Sequence, residues 1–146
     1  MFIQSVYASV ATEAMPKSKL YKLLSQARVN NKLNNITGLL IYVDGVFLQV
    51  LEGPAEVVSV LLETIKNDSR HKELKIIYKT DIEERLFSSW KMAYVSPSPK
   101  ELATWAGLRN TTTVQATLEA IELEPTKMPL VLRTLLSQIP EKDLEE

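Results

Sequence analysis

The stretch "ITGLLIYVDGVFLQVLEG", residues 36–53, decides the fold. Two β-prone runs flank Asp44-Gly45, a pair suited to the two-residue type I′ turn because both central positions need positive φ. Such a turn pairs Val43 with Val46, Tyr42 with Phe47 and Leu40 with Gln49. Side chains alternate along a strand, so Leu40, Tyr42, Phe47, Gln49 and Leu51 share one face. Leu39, Ile41, Val43, Val46, Leu48 and Val50 take the other. Both faces are apolar, and each needs cover. Gln49 does not fit: it is an amide in the middle of "VFLQVLEGP", and leaving it unsatisfied in a core costs ~1–3 kcal/mol. Something polar is expected to face it.

Upstream, "FIQSVYAS" (Phe2–Ser9) reads as a first strand carrying Tyr7 between Ser5 and Ser9. In "SKLYKLLSQARVNN", Leu20, Leu23, Leu24 and Ala27 recur at the spacing of an amphipathic helix. Pro16 and Ser18 are start signals, and the Asn-rich "NNKLNN" is the stop. Downstream, Pro54 suits the first position of a second helix whose buried stripe is Val57, Val58, Leu61, Leu62 and Ile65. "SRHKE" reads as a polar connector. "LKIIYKTDI" (Leu74–Ile82) is a fourth strand, and a fifth is expected within Ser88–Val95, with Trp90 and Met92 alternating onto one face. The order is βαββαββ, whose first six elements are ferredoxin-like. The fold class is α+β: a mixed five-stranded sheet with two helices on one face. "SPSP" (Ser96–Pro99) then punctuates the chain. "KELATWAGLRN", "TTVQATLEAIEL" and "KMPLVLRTLLSQI" read as three helices covering the sheet's other face. Residues 1–95 thus form the core and 96–146 a helical extension of the same domain. Trp105 and "MPLVLRTLL" have two readings, cover for the sheet or a surface for a partner or second copy.

Composition narrows the function. The chain has 146 residues, 45% hydrophobic and 24% charged, enough for one domain with a substantial core. Its 17 Lys and Arg against 18 Asp and Glu leave no basic footprint for nucleic acid. No apolar run reaches the ~20 residues of a membrane span. The N-terminus has no secretory pattern, so a cytoplasmic location is expected. Without cysteine there is no thiol chemistry, and the one histidine, His71, cannot complete a zinc site or a His-based triad. Four glycines form no phosphate loop. Glu83-Glu84 reads as a solvated loop, and the Gly-rich anion loop with arginine of acylphosphatase-type chemistry is missing after the first strand. Ordinary hydrolytic catalysis has no support. Polar and aromatic residues on apolar strands remain, and each has an ordinary account: Tyr7 as a core tyrosine with a bonded hydroxyl, Met92 as packing, the asparagines as a helix C-cap.

Together these residues are more specific. "YAS" with Tyr7, "ARVNN" with Asn30 and Asn31, "DGVFLQVLEG" with Gln49, "DSRH" with Arg70 and His71, and "RLFSSWKM" with Trp90 and Met92 follow in order over residues 2–95. This series resembles the BLUF domain, the blue-light sensor that binds FAD, and the length is similar to its short, single-domain PixD-like members. The resemblance implies a flavin ring between the two long helices, with Leu23, Leu24 and Ile65 lining it. Asn31 and Asn30 would bond its pyrimidine edge. Arg70, with His71 nearby, would contact the cofactor, and Tyr7 and Gln49 would face N5 and O4. It further implies that Tyr7 reduces the photoexcited flavin, that Gln49 relays the proton and ends in a new hydrogen-bonded arrangement, and that Trp90 and Met92 carry the change to the C-terminal helices. The partner would be a downstream regulatory protein, the assembly a homo-oligomer, and the chain itself no enzyme. Two other classes remain: a flavin-dependent oxidoreductase, and a ferredoxin-like interaction module without cofactor. A fused cyclase or phosphodiesterase is not expected, because no catalytic motif follows the last strand.

Overall fold

The computed structural model describes residues 1–109 and 113–138. The elements run β1 (Phe2–Ala11), α1 (Lys17–Asn34), β2 (Thr37–Val43), β3 (Val46–Pro54), α2 (Ala55–Lys66), β4 (His71–Ile82), β5 (Ala93–Val95), α3 (Pro99–Trp105), α4 (Val114–Leu123) and α5 (Met128–Gln138). The expected helix ends at Asn110, Thr112 and Ile139, and the extension beyond 138, lie outside the described residues.

Asp44 and Gly45 both have positive φ, 47° and 74°, as a type I′ turn requires. The hairpin register is the expected one: Val43 opposite Val46, Tyr42 opposite Phe47, Leu40 opposite Gln49. The strand order is β4-β1-β3-β2-β5, with β5 parallel to β2 and the other pairs antiparallel. β3 is therefore central. Its Phe47 and Leu51 join Leu20 and Leu24 of α1 and Val58 and Leu62 of α2 in one core. Leu48 and Val50 join Leu102, Trp105, Leu118 and Leu132 of the C-terminal helices in the other. Trp105 is 7% exposed, so its role is to cover the sheet.

Local signals set the helix ends. α1 stops at Asn35, whose φ of 58° lets its N–H reach the Asn31 carbonyl. α2 starts directly after Pro54, which ends β3 rather than opening the helix. α3 begins with a capping box in which Glu101 N–H donates to Ser98 Oγ (3.1 Å) and Ser98 N–H to Glu101 Oε1 (3.0 Å).

Three sequence expectations change. β4 begins at His71, not Leu74, because β1 continues to Ala11 and pairs with it. "SRHKE" is thus partly strand. β5 is only Ala93–Val95, since Trp90 N–H bonds the Phe87 carbonyl (3.1 Å) and turns the chain just before it. Period-two alternation consequently fails at 90–92. Met92 packs under α1 and α2, while Trp90 packs with Phe87 (ring centroids 6.4 Å apart) in the core under the C-terminal helices. The two residues occupy opposite sides of the sheet, not one face.

Glu52, three residues after Gln49 on β3, is fully buried. Its carboxylate accepts four bonds: from Gln4 Nε2 (2.9 Å), Thr37 Oγ1 (3.3 Å), and the Leu86 and Phe87 N–H groups (2.9 and 2.8 Å). Arg85 closes the cluster, donating to Thr37 Oγ1, the Glu52 carbonyl and the Asn35 carbonyl at 2.7–3.1 Å while lying over the Phe2 ring. The segment joining β4 to β5 is thereby fixed at its start by a buried charge. Glu52→Ala should destabilise the protein by about 3 kcal/mol in denaturant unfolding, because two backbone N–H groups lose their acceptor. Gly38→Ala should cost about 2 kcal/mol or more, since a Cβ there would lie 1.9 Å from the Val50 carbonyl oxygen.

Candidate flavin site

Between α1 and α2, above β1 and β3, lies a cavity of about 200 Å³. Leu23 and Ala27 of α1 face Leu61 and Ile65 of α2, giving two apolar walls. Tyr7, Leu40, Phe47 and Gln49 reach it from the sheet. Asn30 and Asn31 lie along α1, and Gln26, Asp68, Arg70 and His71 also line the opening. Two flat apolar walls with a polar edge suit a planar heteroaromatic ring. A larger groove of about 510 Å³ at the start of α1 is lined by Met15, Tyr21, Tyr42 and Trp105, and has no amide among its lining residues.

The hairpin register delivers the central pair. Tyr7 is directly opposite Gln49 across β1 and β3, and the Tyr7 hydroxyl donates to Gln49 Oε1. Gln49 Nε2 donates to Met92 Sδ at 3.5 Å. A thioether is a weak acceptor, and among the described residues Nε2 has no other. The buried amide is therefore only partly satisfied by protein, and its side chain borders the cavity. Burial, reinforced by the Asp68 charge, pushes the Tyr7 phenol well above its ordinary pKa of about 10. Tyr7 is neutral and a hydrogen-bond donor throughout the physiological range.

Asn31 is 2% exposed, and its Nδ2 donates to the Lys91 carbonyl at 2.6 Å. One N–H and the carbonyl oxygen stay available side by side, the donor–acceptor pair an imide edge requires. Asn30 is exposed and is held by Asn34, whose Nδ2 donates to Asn30 Oδ1 at 3.0 Å. His71 bonds the Ile65 carbonyl through Nε2 and Ser9 Oγ through Nδ1 (2.7 Å). A carbonyl only accepts, so Nε2 donates to Ile65, while Nδ1 is paired with the Ser9 hydroxyl. With both ring nitrogens used, His71 pins the end of α2 to the sheet. Arg70 pairs with Asp68 (2.5 Å) and reaches Gln26 Oε1 of α1 (3.3 Å), bridging the mouth. Its hydrogen bonds hold the Asp68 carboxyl below the usual range.

Of the residues named from sequence, Tyr7, Leu23, Asn30, Asn31, Gln49, Ile65, Arg70 and His71 all line the cavity. Leu24 does not: it is 1% exposed within the core beneath. Met92 lies beneath the site, bonded to Gln49 and in the same core as Tyr7, Leu40 and Phe47, and Trp90 is on the far side of the sheet. Sequence reasoning passed over Arg28, whose Nε donates to the Met92 carbonyl (3.0 Å), and Glu52. A carboxylate closing an apolar run on a strand covered from both sides was the available signal for Glu52.

The family model described as BLUF, sensors of blue-light using FAD, matches residues 2–93. Photoactivated adenylate cyclase subunit alpha of Euglena gracilis is 35% identical over 108 residues, which is 74% of this chain and 10% of that protein. Subunit beta of Euglena longa is 33% identical over 105 residues, 71% of this chain and 12% of that protein. The chain thus spans about a tenth of the length of these curated relatives. Among solved structures, the dark-state structure of BlrB, a BLUF protein, superposes with a TM-score of 0.75 at 27% identity, covering 94% of this chain and 97% of that one. The BlsA ground state gives 0.68 at 32% identity, covering 90% and 88%. A bacterial light-regulated adenylyl cyclase gives 0.64 at 25% identity, covering 99% of this chain and 38% of that one. The mixed sheet, the interhelical cavity and the paired Tyr7 and Gln49 thus accompany a family match across both long helices and the sheet, and the chain belongs to the BLUF family of blue-light sensors that use FAD.

Proposed function

We propose that this chain is a light-driven switch in which Tyr7 and Gln49 are the photoactive pair and Met92 is the first reporter of their state. The buried bond from Tyr7 through Gln49 to the Met92 sulfur carries this reading. Bound FAD supplies a chromophore for blue light and, once excited, an acceptor for one electron. Tyr7 is suited to donate that electron, and its proton has a receiver in place at Gln49 Oε1. When the electron and the proton have both returned to Tyr7, the Gln49 amide is left in a different orientation or tautomer, and no net oxidation remains. Of the two bonds the amide must break to turn over, the one to sulfur is weak, and the Tyr7 hydroxyl can accept from Nε2 once the amide has turned. Asn31, and Asn30 beside it, hold the imide edge, and Leu23 and Ile65 keep water from the ring faces. No substrate is consumed, so the chain acts as a regulator and not as an enzyme.

Output starts at Met92. Its carbonyl is held by Arg28 and the neighbouring Lys91 carbonyl by Asn31, so a change at Gln49 acts on a strap that one turn of α1 grips from the other side. Trp90, two residues away and across the sheet, contacts the core beneath α3, α4 and α5. Those helices would present the altered surface to a regulatory protein, with this chain working as a cytoplasmic homo-oligomer. The likeness to light-regulated cyclases supports an effector controlled by contact.

The flavin-loaded protein should show a reversible red shift of a few nanometres under blue light. Tyr7→Phe and Gln49→Leu should each abolish the shift while retaining flavin; bleaching to reduced flavin would refute the switch. Trp90→Phe and Met92→Ala should keep the shift yet reduce any light-dependent change in hydrogen exchange of α3–α5, and an unaltered change would refute the route. Tyr7 holds its proton more tightly folded than unfolded, so its contribution to stability is intact below pH 10 and lost as pH rises further. Alkaline absorbance titrations of wild type and Tyr7→Phe should therefore coincide through pH 10, and an early phenolate difference would show an accessible Tyr7.

A further inference from the structure

Three successive carbonyls just before β5 each accept a hydrogen bond from a distant part of the chain. Trp90 accepts from the Gly38 N–H of β2 (3.2 Å), Lys91 from Asn31 Nδ2 (2.6 Å) and Met92 from Arg28 Nε (3.0 Å). Two of these donors come from one turn of α1. Residues three apart lie on the same side of a helix, so Arg28 and Asn31 hold the strap together. They differ in what else they reach: Asn31 also lines the flavin cavity, and Arg28 does not.

Asn31 is 2% exposed, so water cannot readily replace a partner that it loses. Its amide is planar. The bond to Lys91 therefore fixes the direction in which Oδ1 and the second N–H point. The converse also holds. A ligand that bonds Oδ1 and that N–H keeps the amide in the plane where Nδ2 meets the Lys91 carbonyl. An amide held at one end only turns more easily. Ring and strap thus share one side chain, and they share a core as well: Met92 packs with Tyr7, Leu40 and Phe47, all of which border the cavity. Reciprocity then requires that whatever the docked strap adds to ligand affinity, the ligand adds to docking of the strap.

We propose that Asn31 couples flavin occupancy to the docking of residues 90–92 in darkness, so that the chain senses the supply of its cofactor as well as light. Resting on the flavin reading of the cavity, this coupling adds a third state to the dark and lit ones. In that flavin-free state the strap is loosened at Lys91, while Gly38 and Arg28 keep their hold on its two neighbours. The feature sensed is the imide edge of the ring, which riboflavin, FMN and FAD have in common.

The test follows amide hydrogen exchange of residues 91–95 in darkness, in the full chain after flavin removal and again with saturating riboflavin, where exchange reports the opening equilibrium. Riboflavin should slow exchange there at least about fivefold. Locally opening amides of α4, across the sheet, should change less than about twofold. Two variants read first without flavin locate the grip. Asn31→Asp sets a carboxylate oxygen against the Lys91 carbonyl and should speed exchange of 91–95 about tenfold. Arg28→Gln should also speed it, yet leave the slowing by riboflavin intact, because the coupling passes through Asn31. Equal exchange with and without riboflavin in wild type, or slowing no greater than in α4, would overturn the coupling. So would an Asn31→Asp chain whose strap exchanges at the wild-type rate, or slowing that Arg28→Gln abolishes. If riboflavin fails to bind wild type, the flavin reading itself falls; binding without slowing removes the coupling alone.

Discussion

A polar side chain on the central strand of a sheet covered on both faces has no water to turn to; protein or ligand must supply every bond it makes. β3 carries two such groups, Gln49 and Glu52, and their three-residue separation sends them to opposite faces. Glu52 is saturated, with four donors on its two oxygens. Gln49 is not, having one firm partner in Tyr7 and one soft partner in sulfur. The same strand thus provides a fixed point and a movable one, and the segment from Arg85 to Met92 is strung between them. The proposed switch would need both: without the anchor, a change at Gln49 would dissipate in a loose loop.

The rest of the architecture keeps that strand dry and reachable. α1 and α2 leave a ring-sized space between them, and the mouth is bridged by Arg70, in the segment after α2, and Gln26 of α1. His71 ties α2 to the sheet by joining the Ile65 carbonyl to Ser9. Asn31 ties α1 to the strap through the Lys91 carbonyl. Burial raises the Tyr7 pKa, which preserves the proton on the donor side of its bond to Gln49. A phenolate there would be an acceptor facing an acceptor.

Much of this was legible in sequence because it follows from local rules. Asp44-Gly45 sets the hairpin, the hairpin sets which side chains face the helices, and the Gln49 anomaly is plain in the sequence itself. What stayed hidden depends on distant contacts. Alternation placed Trp90 and Met92 together, but a turn at Phe87–Trp90 breaks the alternation, and no local signal marks it. The stripe of Leu23 and Leu24 reads the same whether it fills a core or lines a cavity; one residue proved to do each. The parallel pairing of β5 with β2 joins segments about fifty residues apart, beyond any periodicity.

That pairing has an energetic consequence. β5 meets β2 over three residue pairs, Leu39–Ala93, Leu40–Tyr94 and Ile41–Val95, at the margin of the sheet. Detaching so short a ladder breaks few backbone bonds, and what holds the segment is the burial of Met92 in one core and of Ala93 and Val95 in the other. Its docked state therefore depends on side-chain packing more than on the ladder, and Met92, which Gln49 touches, is part of that packing. A shift of only one or two kcal/mol at a neighbouring side chain is enough to change its population several-fold. The small size of the strand, in that sense, sets the sensitivity of the molecule.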